Sequence, residues 1–459
     1  MPTPPALPPA FAAGALYDHL LQGALRHFFD RAVLETHSTA SESSRGLLTL
    51  EPTADPAALT LRSFGTRHVL RVPERQPFTT HEVRLARAIG SVLSARYHAI
   101  LDPAIMARRS DLFQGAIEDR FVGAFLGGTD YAAANEASRA DGIAAAIEVL
   151  RVAALSQYEN RYISSGVLLL DEERDPGHPG EVPPGAAPGL AYSPRLTAVK
   201  AFYRLCDGLR TVFLVDRSGR LLRTVDIGSW ARATHANSSG LPVPCAAGYQ
   251  QHALATLDNR HVCVVLSPSH EIKVFAEGAQ VFAFRNAAWH LLDLQAKYVG
   301  WVSAVGRAVL AEKVFQAALD LSDARQGALF VVLRNPAEAL PSLVAHPDLL
   351  QPARDVDARG AVSRQGLLSV LAARDVSGLD GSVLEALASM DGATVLDLDG
   401  RVLAAGAILR HPVESTADGL SPEGARTTAA LAASRFGPVL KVSEDGMITF
   451  YDGAKEWDI

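Results

Sequence analysis

Two stretches near the end of the chain carry residue types that could hold a phosphorylated ligand. One is an Asp-Gly-Ala tripeptide before an apolar run, and the other places an arginine and two threonines in a small-residue segment. A carboxylate can bind a divalent cation or a ribose hydroxyl, whereas guanidinium and hydroxyl groups can hold phosphate oxygens. These stretches are therefore a candidate site for a phosphorylated ligand. The residues concerned are Asp391, Gly392, Ala393, Arg426, Thr427 and Thr428.

The same blocks occur twice, in the same order. ISSGVLLL, CDGLRTVFLVDRSGRLLRTVDI and GYQQHALATLDNRHVCVVLSPSHEIKVFAEG are followed later by ARQGALFVV, MDGATVLDLDGRVLAAGAIL and GARTTAALAASRFGPVLKVSEDGMITFYDG. Gly248 lies nineteen residues before Ser267, and Gly424 lies nineteen residues before Ser443. Three blocks in register predict an internal duplication.

The duplication extends the set of candidate residues. In the second copy, Ser443 and Glu444 fall in a turn at the end of a strand. The residues considered for the first copy are Asp207, Gly208, His252 and Ser267. For each of these four a structural polar or turn role is the alternative.

Each copy must position these residues on an α/β scaffold. Helical periodicity (AAAIEVLRVAALSQY, AEKVFQAALDLSDAR) precedes a buried strand (VLLL, ALFVV), then a hairpin turning at Ser218-Gly219 or Asp399-Gly400. A short helix (QHALATL, TTAALAAS) and a last pair of strands follow. The pattern predicts an α/β fold, a mixed sheet flanked by helices, duplicated, with a small N-terminal α+β domain.

The N-terminal part is expected to be separate. Periodicity predicts one helix over 15–35, two strand segments, and a second helix starting near Thr79-Thr80. This outline is similar to a GAF-type sensor module; a small dimerisation or packing domain is the alternative. The predicted division is a Pro-rich tip (1–14), the N-terminal module (15–105), a helical linker (106–144), copy one (145–290, with a surface loop over 175–189) and copy two (300–459).

Composition restricts the class of protein. The 459 residues are 48% hydrophobic and 20% charged, which fits a folded chain of about two to four domains. A net charge of −7 argues against a broad nucleic-acid surface, and three unevenly spaced cysteines fit neither a zinc site nor a disulfide framework. Of 43 cationic residues 37 are arginine, which with abundant alanine is typical of a GC-rich bacterial genome. Without a secretory signal or an 18-residue apolar run, a cytoplasmic location and no membrane partner are expected.

The ordered motifs of copy two resemble the diadenylate cyclase (DAC) family. The resemblance rests on DGA at 391–393, LDGR at 398–401, AAG at 404–406, GAR…AA from Gly424, and VSEDG at 442–446. It covers residues 310–459 well and 145–290 faintly. In that family two ATP molecules meet face to face between two DAC domains and form cyclic di-AMP.

The resemblance implies roles for particular residues. Asp391 would bind a divalent metal and activate the ribose 3′-hydroxyl, and Arg426 would hold phosphate. The family's RHR motif reads Arg426, Thr427, Thr428 here, so the histidine and the second arginine are missing. In copy one the same positions carry no fixed cation. Since developing phosphate charge needs fixed cations, this departure predicts impaired catalysis.

The expected function is therefore a nucleotide-binding sensor with little or no catalysis, for a nucleotide or cyclic dinucleotide ligand. An active diadenylate cyclase and a structural dimerisation protein are the alternatives. No cofactor is required for the sensor, whereas Mg²⁺ or Mn²⁺ would accompany a bound triphosphate. A homodimer or an intrachain pseudo-dimer of the two copies, with Asp207 and Asp391 face to face, is a further hypothesis.

Two other segments carry positive charge that resembles, or could complete, the phosphate motif. GTRH at 65–68 copies part of the phosphate motif but stands in a strand-like context, which predicts coincidence. Arg410-His411 follows the second-copy hairpin and could supply a surrogate cation. No Walker loop, HExxH or GxSxG motif occurs in the sequence.

Overall fold

In a computed structural model the chain divides into two units. One unit comprises residues 1–239 and 251–293, and the other comprises 240–250 and 294–459. The structure describes residues 9–29, 32–38, 49–51, 55, 57–63, 66–71, 77–128, 131, 138–158, 161–172, 189–235, 240–350, 375–410 and 424–459. Within them, no helix is long and apolar enough to cross a membrane.

The first unit contains an N-terminal helical and sheet region followed by the first repeat. Its helices are α1 (Pro9–Phe28), α2 (Thr80–Leu101), α3 (Pro103–Arg108), α4 (Ile117–Gly127), α5 (Arg139–Ala154), α6 (Lys200–Leu205), α7 (Ile227–Thr234) and α8 (Gln250–Leu254), the last starting at the unit boundary. Its strands are β1 (Val33–Ser38), β2 (Thr49–Glu51), β3 (Ala58–Ser63), β4 (Thr66–Arg71), β5 (Gln157–Tyr158), β6 (Arg161–Tyr162), β7 (Ser165–Leu169), β8 (Thr211–Val215), β9 (Leu221–Asp226), β10 (Val262–Leu266), β11 (Ile272–Ala276), β12 (Ala279–Arg285) and β13 (Ala288–Leu291).

The second unit contains the second repeat. Its helices are α9 (Leu294–Val305), α10 (Ala308–Asp323), α11 (Pro336–Leu343), α12 (Gly381–Ala388) and α13 (Gly424–Ser434). Its strands are β14 (Ala328–Leu333), β15 (Ala393–Asp397), β16 (Val402–Ala407), β17 (Val439–Val442), β18 (Ile448–Asp452) and β19 (Ala454–Asp458).

Strand order confirms the duplicated α/β fold. The first repeat has the order β13-β12-β11-β10-β7-β8-β9, and the second has β16-β15-β14-β17-β18-β19. In each repeat the central pair, β7/β8 or β14/β15, is parallel, and the other neighbours are antiparallel. The predicted hairpin turns also correspond, because Gly219 and Gly400 take φ values of +83° and +82°. The β12–β13 hairpin gives the first repeat one strand more among the described residues.

The N-terminal sheet, in the order β1-β4-β3-β2, is antiparallel. The prediction of one helix over 15–35 is wrong at its carboxyl end. Helix α1 ends at Phe28, and Val33 begins strand β1, which pairs with β4. Val33 and Leu34, which extend the apolar helical pattern in the sequence, instead lie in a strand that pairs with β4. Thr66 to His68 of the GTRH segment lie in β4, and His68 is buried with Nε2 2.6 Å from Asp18 Oδ1, so the strand context is confirmed. Gly65 lies outside the described residues.

Local signals begin the predicted helices. Thr79 Oγ1 accepts from the Glu82 backbone N–H at 3.2 Å, and the Glu82 carboxylate accepts from the Thr79 N–H at 2.9 Å. This reciprocal capping box starts α2 at the expected place. The helices predicted before the first strand of each copy are present as α5 and α10.

Each unit has a hydrophobic core. In the first unit, residues of α1, α2 and the N-terminal sheet share one buried cluster with the strands of the first repeat, including Leu21, Ile89, Val167 and Val264. In the second unit a buried cluster joins β14, β15 and β17 through Val331, Val395 and Val439. The division into tip, module, linker and two copies stays a prediction. Most of the tip and of the 175–189 loop lies outside the described residues.

Candidate functional site

The second repeat brings its motif residues to one edge of the sheet. Asp391 and Gly392 precede β15, whose first residue is the buried Ala393. Glu444 follows the end of β17. Because β14 is parallel to β15 and antiparallel to β17, the start of β15 and the end of β17 lie at the same edge. The first turn of α13, with Arg426, reaches that edge as well.

Arg426 lies between two carboxylates at this edge. Its Nη1 donates to Glu444 Oε1 at 3.0 Å, and its Nη2 lies 3.9 Å from Asp391 Oδ1. The Arg426 side chain is 34% exposed, whereas the Asp391 side chain is fully exposed. A Cβ on Gly327 would meet Arg426 Nη1 at 2.0 Å, so this glycine makes room for the guanidinium. Three residues separated by up to 53 positions thus form one open, charged cluster.

Gly392 has a backbone reason to be glycine. Its φ is +112°, and an added Cβ would lie 2.5 Å from the carbonyl carbon of Gly406 and 2.6 Å from the Ala407 oxygen. Ala393 pairs with Ala407 in the adjacent strand β16. The small residues of the tripeptide therefore allow two strands to approach closely next to Asp391.

The two threonines of α13 face different partners. Lys441 Nζ donates to Thr427 Oγ1 at 3.0 Å, and Thr428 Oγ1 lies 3.5 Å from the Gly424 carbonyl oxygen within the helix. Lys441 is a cation that the sequence reasoning missed. Its one signal was a lone lysine in the otherwise apolar strand VLKV.

Ser443 and Glu444 differ in their availability. The Ser443 N–H donates to the Met447 carbonyl at 2.9 Å, and its hydroxyl is hydrogen-bonded to the Asp445 carboxylate. Ser443 therefore closes the turn between β17 and β18. The Glu444 side chain is 76% exposed and contacts Arg426.

Arg410 follows β16, which ends at the same edge because Ala407 pairs with Ala393. Its backbone N–H donates to Leu343 O at 2.8 Å. No ion pair joins Arg410 to Asp391 in the part of the chain that the structure describes, and His411 lies outside that part.

Asp207 of the first repeat serves its own turn. Its Oδ1 accepts from the backbone N–H groups of Leu209, Arg210 and Thr211 at 2.9, 2.7 and 3.0 Å. Partial burial raises the pKa of this carboxyl, but the hydrogen bonds outweigh burial and leave the pKa below its usual value. The carboxylate is thus held by the loop that follows it.

His252 and Ser267 are likewise engaged within the first repeat. His252 is fully buried, and its Nε2 lies 2.8 Å from the Gly208 carbonyl oxygen. Gly208 has φ +74°, and a Cβ there would meet Ser165 O at 2.5 Å. Ser267 Oγ accepts from the Glu271 N–H at 3.1 Å. These contacts give the four first-repeat residues structural tasks, and their binding role stays a prediction.

Two carboxylates, those of Asp391 and Glu444, contact Arg426 at the second-repeat edge. No group of three or more His, Cys, Asp or Glu side chains is placed to hold a metal ion among the described residues. Mg²⁺ is commonly held by one or two carboxylates together with substrate phosphates. Asp391, fully exposed at the edge, fits that shared mode only.

Comparisons with known proteins give slight likenesses. No family model matches the chain, and no curated protein matches it. A solved structure of a hypothetical membrane spanning protein from Bacillus cereus is 21% identical over 35% of this chain and 73% of its own, with a TM-score of 0.24. A double mutant of DacA from Staphylococcus aureus is 22% identical over 32% of this chain and 86% of its own, with a TM-score of 0.20.

Proposed function

We propose that the second repeat is a nucleotide-binding sensor module with little or no diadenylate cyclase activity. The observation that carries this proposal is the position of Arg426, between Asp391 and Glu444 at an open sheet edge. The three residues come from three motif segments of the second repeat. They are distant in the sequence and lie together because of the strand order of the sheet.

The cluster has the chemistry to hold a phosphorylated ribose. Arg426 presents planar, paired donors to phosphate oxygens. Thr427, the next residue, carries a hydroxyl that accepts from Lys441 Nζ, so a second cation is bonded to the neighbouring side chain. Asp391 can accept from a ribose hydroxyl or share a divalent cation with the phosphates. Because Glu444 is largely exposed, it can turn into solvent when a phosphate takes its place on Arg426.

The same cluster is poorly equipped for phosphoryl transfer. Two positions that carry cationic side chains in the resembling family are Thr427 and Thr428 here. Losing one preorganised donor to a developing oxyanion raises the activation free energy by about 3–4 kcal/mol. Asp391 and Glu444 next to Arg426 also partly neutralise the remaining guanidinium. Binding of a less charged ligand, such as a cyclic dinucleotide, tolerates these losses better than catalysis.

Calorimetric titration of the full chain with ATP–Mn²⁺ and with cyclic di-AMP tests the proposal, with products followed by chromatography. We expect saturable binding without product. Arg426→Ala should weaken binding about tenfold or more, since hydrogen bonds to charged groups contribute about 1.5–3 kcal/mol. Asp391→Asn should weaken ATP–Mn²⁺ more than cyclic di-AMP, because only the first ligand shares a cation with the carboxylate.

The matched control is Arg435→Ala, an exposed arginine after the same helix. Its binding constants should equal those of the wild type. Accumulation of cyclic di-AMP from ATP would show an active cyclase instead. Absence of binding for both ligands would leave a structural dimerisation protein.

A further inference from the structure

The open cluster of the second repeat holds the Arg426 guanidinium between two carboxylates. Nη1 of Arg426 donates to Glu444 Oε1 at 3.0 Å, and Nη2 lies 3.9 Å from Asp391 Oδ1. A Cβ on Gly327 would meet Nη1 at 2.0 Å, so the guanidinium occupies space that any other residue at position 327 would fill. A phosphate that binds Arg426 therefore arrives beside two negative charges.

Hydrogen bonds hold the backbone turn that carries Glu444. The Ser443 N–H donates to the Met447 carbonyl oxygen at 2.9 Å and closes the turn, while the hydroxyl of Ser322, on helix α10, donates to the Gly446 carbonyl oxygen. The Glu444 side chain itself is 76% exposed and is free to rotate. Its carboxylate can therefore leave the guanidinium without moving far from it.

Replacing Glu444 on Arg426 has two costs that differ in kind. Breaking the ion pair between the two residues costs the same for every anion that takes the place of the carboxylate. The displaced carboxylate then repels the bound anion, and this repulsion grows with the charge of the anion. A phosphodiester carries one negative charge, whereas a terminal phosphate carries about 1.5 to 2 at pH 7.

The size of this second cost follows from Coulomb's law. At a separation of about 5 Å in water, one further unit of ligand charge lowers the affinity about fourfold. Screening by salt at physiological ionic strength reduces this factor to about twofold. The repulsion is thus large enough to select between two phosphate groups that differ by one charge.

We propose that Glu444 is a specificity-determining residue that disfavours a terminal phosphate relative to a phosphodiester at Arg426. This inference rests on the proposed function, since it assigns the selectivity of the same site. Asp391 adds a second negative charge near the other terminal nitrogen of the guanidinium. The ligand class that fits this cluster without a metal ion is therefore a nucleotide whose phosphate is esterified twice.

Calorimetric titration of the full chain with 3′,5′-cyclic AMP and with 5′-AMP tests the proposal. The two ligands share adenosine and differ chiefly in the charge of one phosphate. A chelator is present throughout, because a divalent cation would offset the repulsion.

Glu444→Gln retains an oxygen that can accept from Arg426 Nη1, and it removes the charge. It should tighten the binding of 5′-AMP more than that of cyclic AMP. We expect the ratio of the two dissociation constants to change about two- to fourfold at low salt. The charge of Lys441, bonded to Thr427, is the same in both variants and cancels in this comparison.

Glu456→Gln is the matched control. Glu456 is an exposed glutamate on β19, the last strand in the order of the sheet, so its replacement removes the same charge two strands away from β17. It should leave the ratio unchanged. In 1 M NaCl, where the screening length is about 3 Å, the effect of Glu444→Gln should largely disappear. An effect caused by altered packing of the turn would persist at that salt concentration and would contradict the proposal.

The outcomes separate this inference from the proposed function. An unchanged ratio in Glu444→Gln, with binding that still depends on Arg426, would overturn the inference and leave the proposed function intact. Weaker binding of both ligands in Glu444→Gln would also overturn it, since Glu444 would then contact the ligand instead of competing with it. An equal change in Glu456→Gln would assign the selectivity to the net charge of the chain. If neither mononucleotide nor cyclic di-AMP shows binding that Arg426→Ala weakens, the proposed function fails and the inference fails with it.

Discussion

At the scale of single residues, one motif position has two different uses in this chain. Asp207 and Asp391 occupy corresponding places before β8 and β15. Asp207 accepts hydrogen bonds from the backbone N–H groups of Leu209, Arg210 and Thr211, whereas Asp391 is fully exposed. Three residues separate Asp207 from β8, but only Gly392 separates Asp391 from β15. The longer loop lets the Asp207 carboxylate cap its own turn. An aspartate at this motif position is a candidate ligand only where its carboxylate oxygens are not already bonded to backbone N–H groups.

A buried histidine makes the stability of the first unit dependent on pH. Burial lowers the pKa of His261 to about 4, with the charge of Arg139 acting in the same direction, and Nδ1 accepts from the Asp171 N–H at 3.2 Å. Between pH 6.5 and pH 4 the unfolded chain binds a proton that the folded chain does not. The free energy of unfolding should therefore fall as pH is lowered, by about 2 kcal/mol from pH 7 to pH 5.

Urea unfolding of the wild type, His261→Gln and His19→Gln at pH 7 and pH 5 checks this expectation. His261→Gln should remove most of the difference, since glutamine does not titrate and can still accept from the Asp171 N–H. His19 is exposed, so its replacement should leave the difference unchanged. An imidazole NMR titration of His261 with a midpoint near 6.5 would contradict the prediction.

At the scale of elements, the sequence predicts turns and helix starts correctly where a few neighbouring residues determine them. The Gly219 and Gly400 turns define hairpins by their backbone conformation, and Thr79 with Glu82 starts a helix through a capping box. β1 was missed because its apolar residues continue the helical pattern of α1, and only pairing with the distant β4 makes a strand of them. Periodicity within a short stretch of sequence contains no information on which distant strand will pair with it.

The candidate sites were predictable to different degrees for the same reason. Asp391, Arg426 and Glu444 could be named from ordered motifs, and the strand order then explains why they meet. Lys441 could not be named as the partner of Thr427, because that pairing depends on a contact between two separate segments of the sequence. The lone lysine of VLKV marks a polar position in a strand but does not show that Thr427 is its partner.

The close approach of β15 and β16 predicts a large effect of a single methyl group. Gly392→Ala would place Cβ 2.5 Å from the Gly406 carbonyl carbon at a φ of +112°, so both strain and overlap act. We expect a loss of about 2–4 kcal/mol in the free energy of unfolding, measured by urea denaturation.

Gly453→Ala is the matched control for Gly392→Ala. Its φ is +76°, and nothing lies within 4 Å of an added Cβ. Only the conformational cost, about 1–2 kcal/mol, should appear. Equal losses for the two variants would show that β16 relaxes away from Gly392.

At the scale of the whole molecule, the chain passes between the two compact units before the first repeat is complete. Residues 240–250 belong to the second unit, where Gln316 Nε2 donates to the Cys245 carbonyl at 2.7 Å and the Ala247 N–H donates to Asp320. Residues 251–293 then supply β10 to β13 of the first unit. A single cut at residue 293 therefore does not yield a complete second unit, and binding studies need the full chain.

Among the described residues, the fold is duplicated, but the exposed cluster of Asp391, Arg426 and Glu444 is present in the second repeat alone. This difference predicts the number of ATP molecules bound per chain. Two repeats share one strand order, yet only in the second are the motif aspartate and arginine together at an open edge. In the first repeat Asp207 is bound by its own loop and the buried His252 bonds Gly208 O. Calorimetry should therefore give one ATP per chain, with Asp207→Asn leaving both the number of sites and their affinity unchanged. Two equivalent sites per chain, one of them lost in Asp207→Asn, would mean that the first repeat opens its turn to admit a ligand.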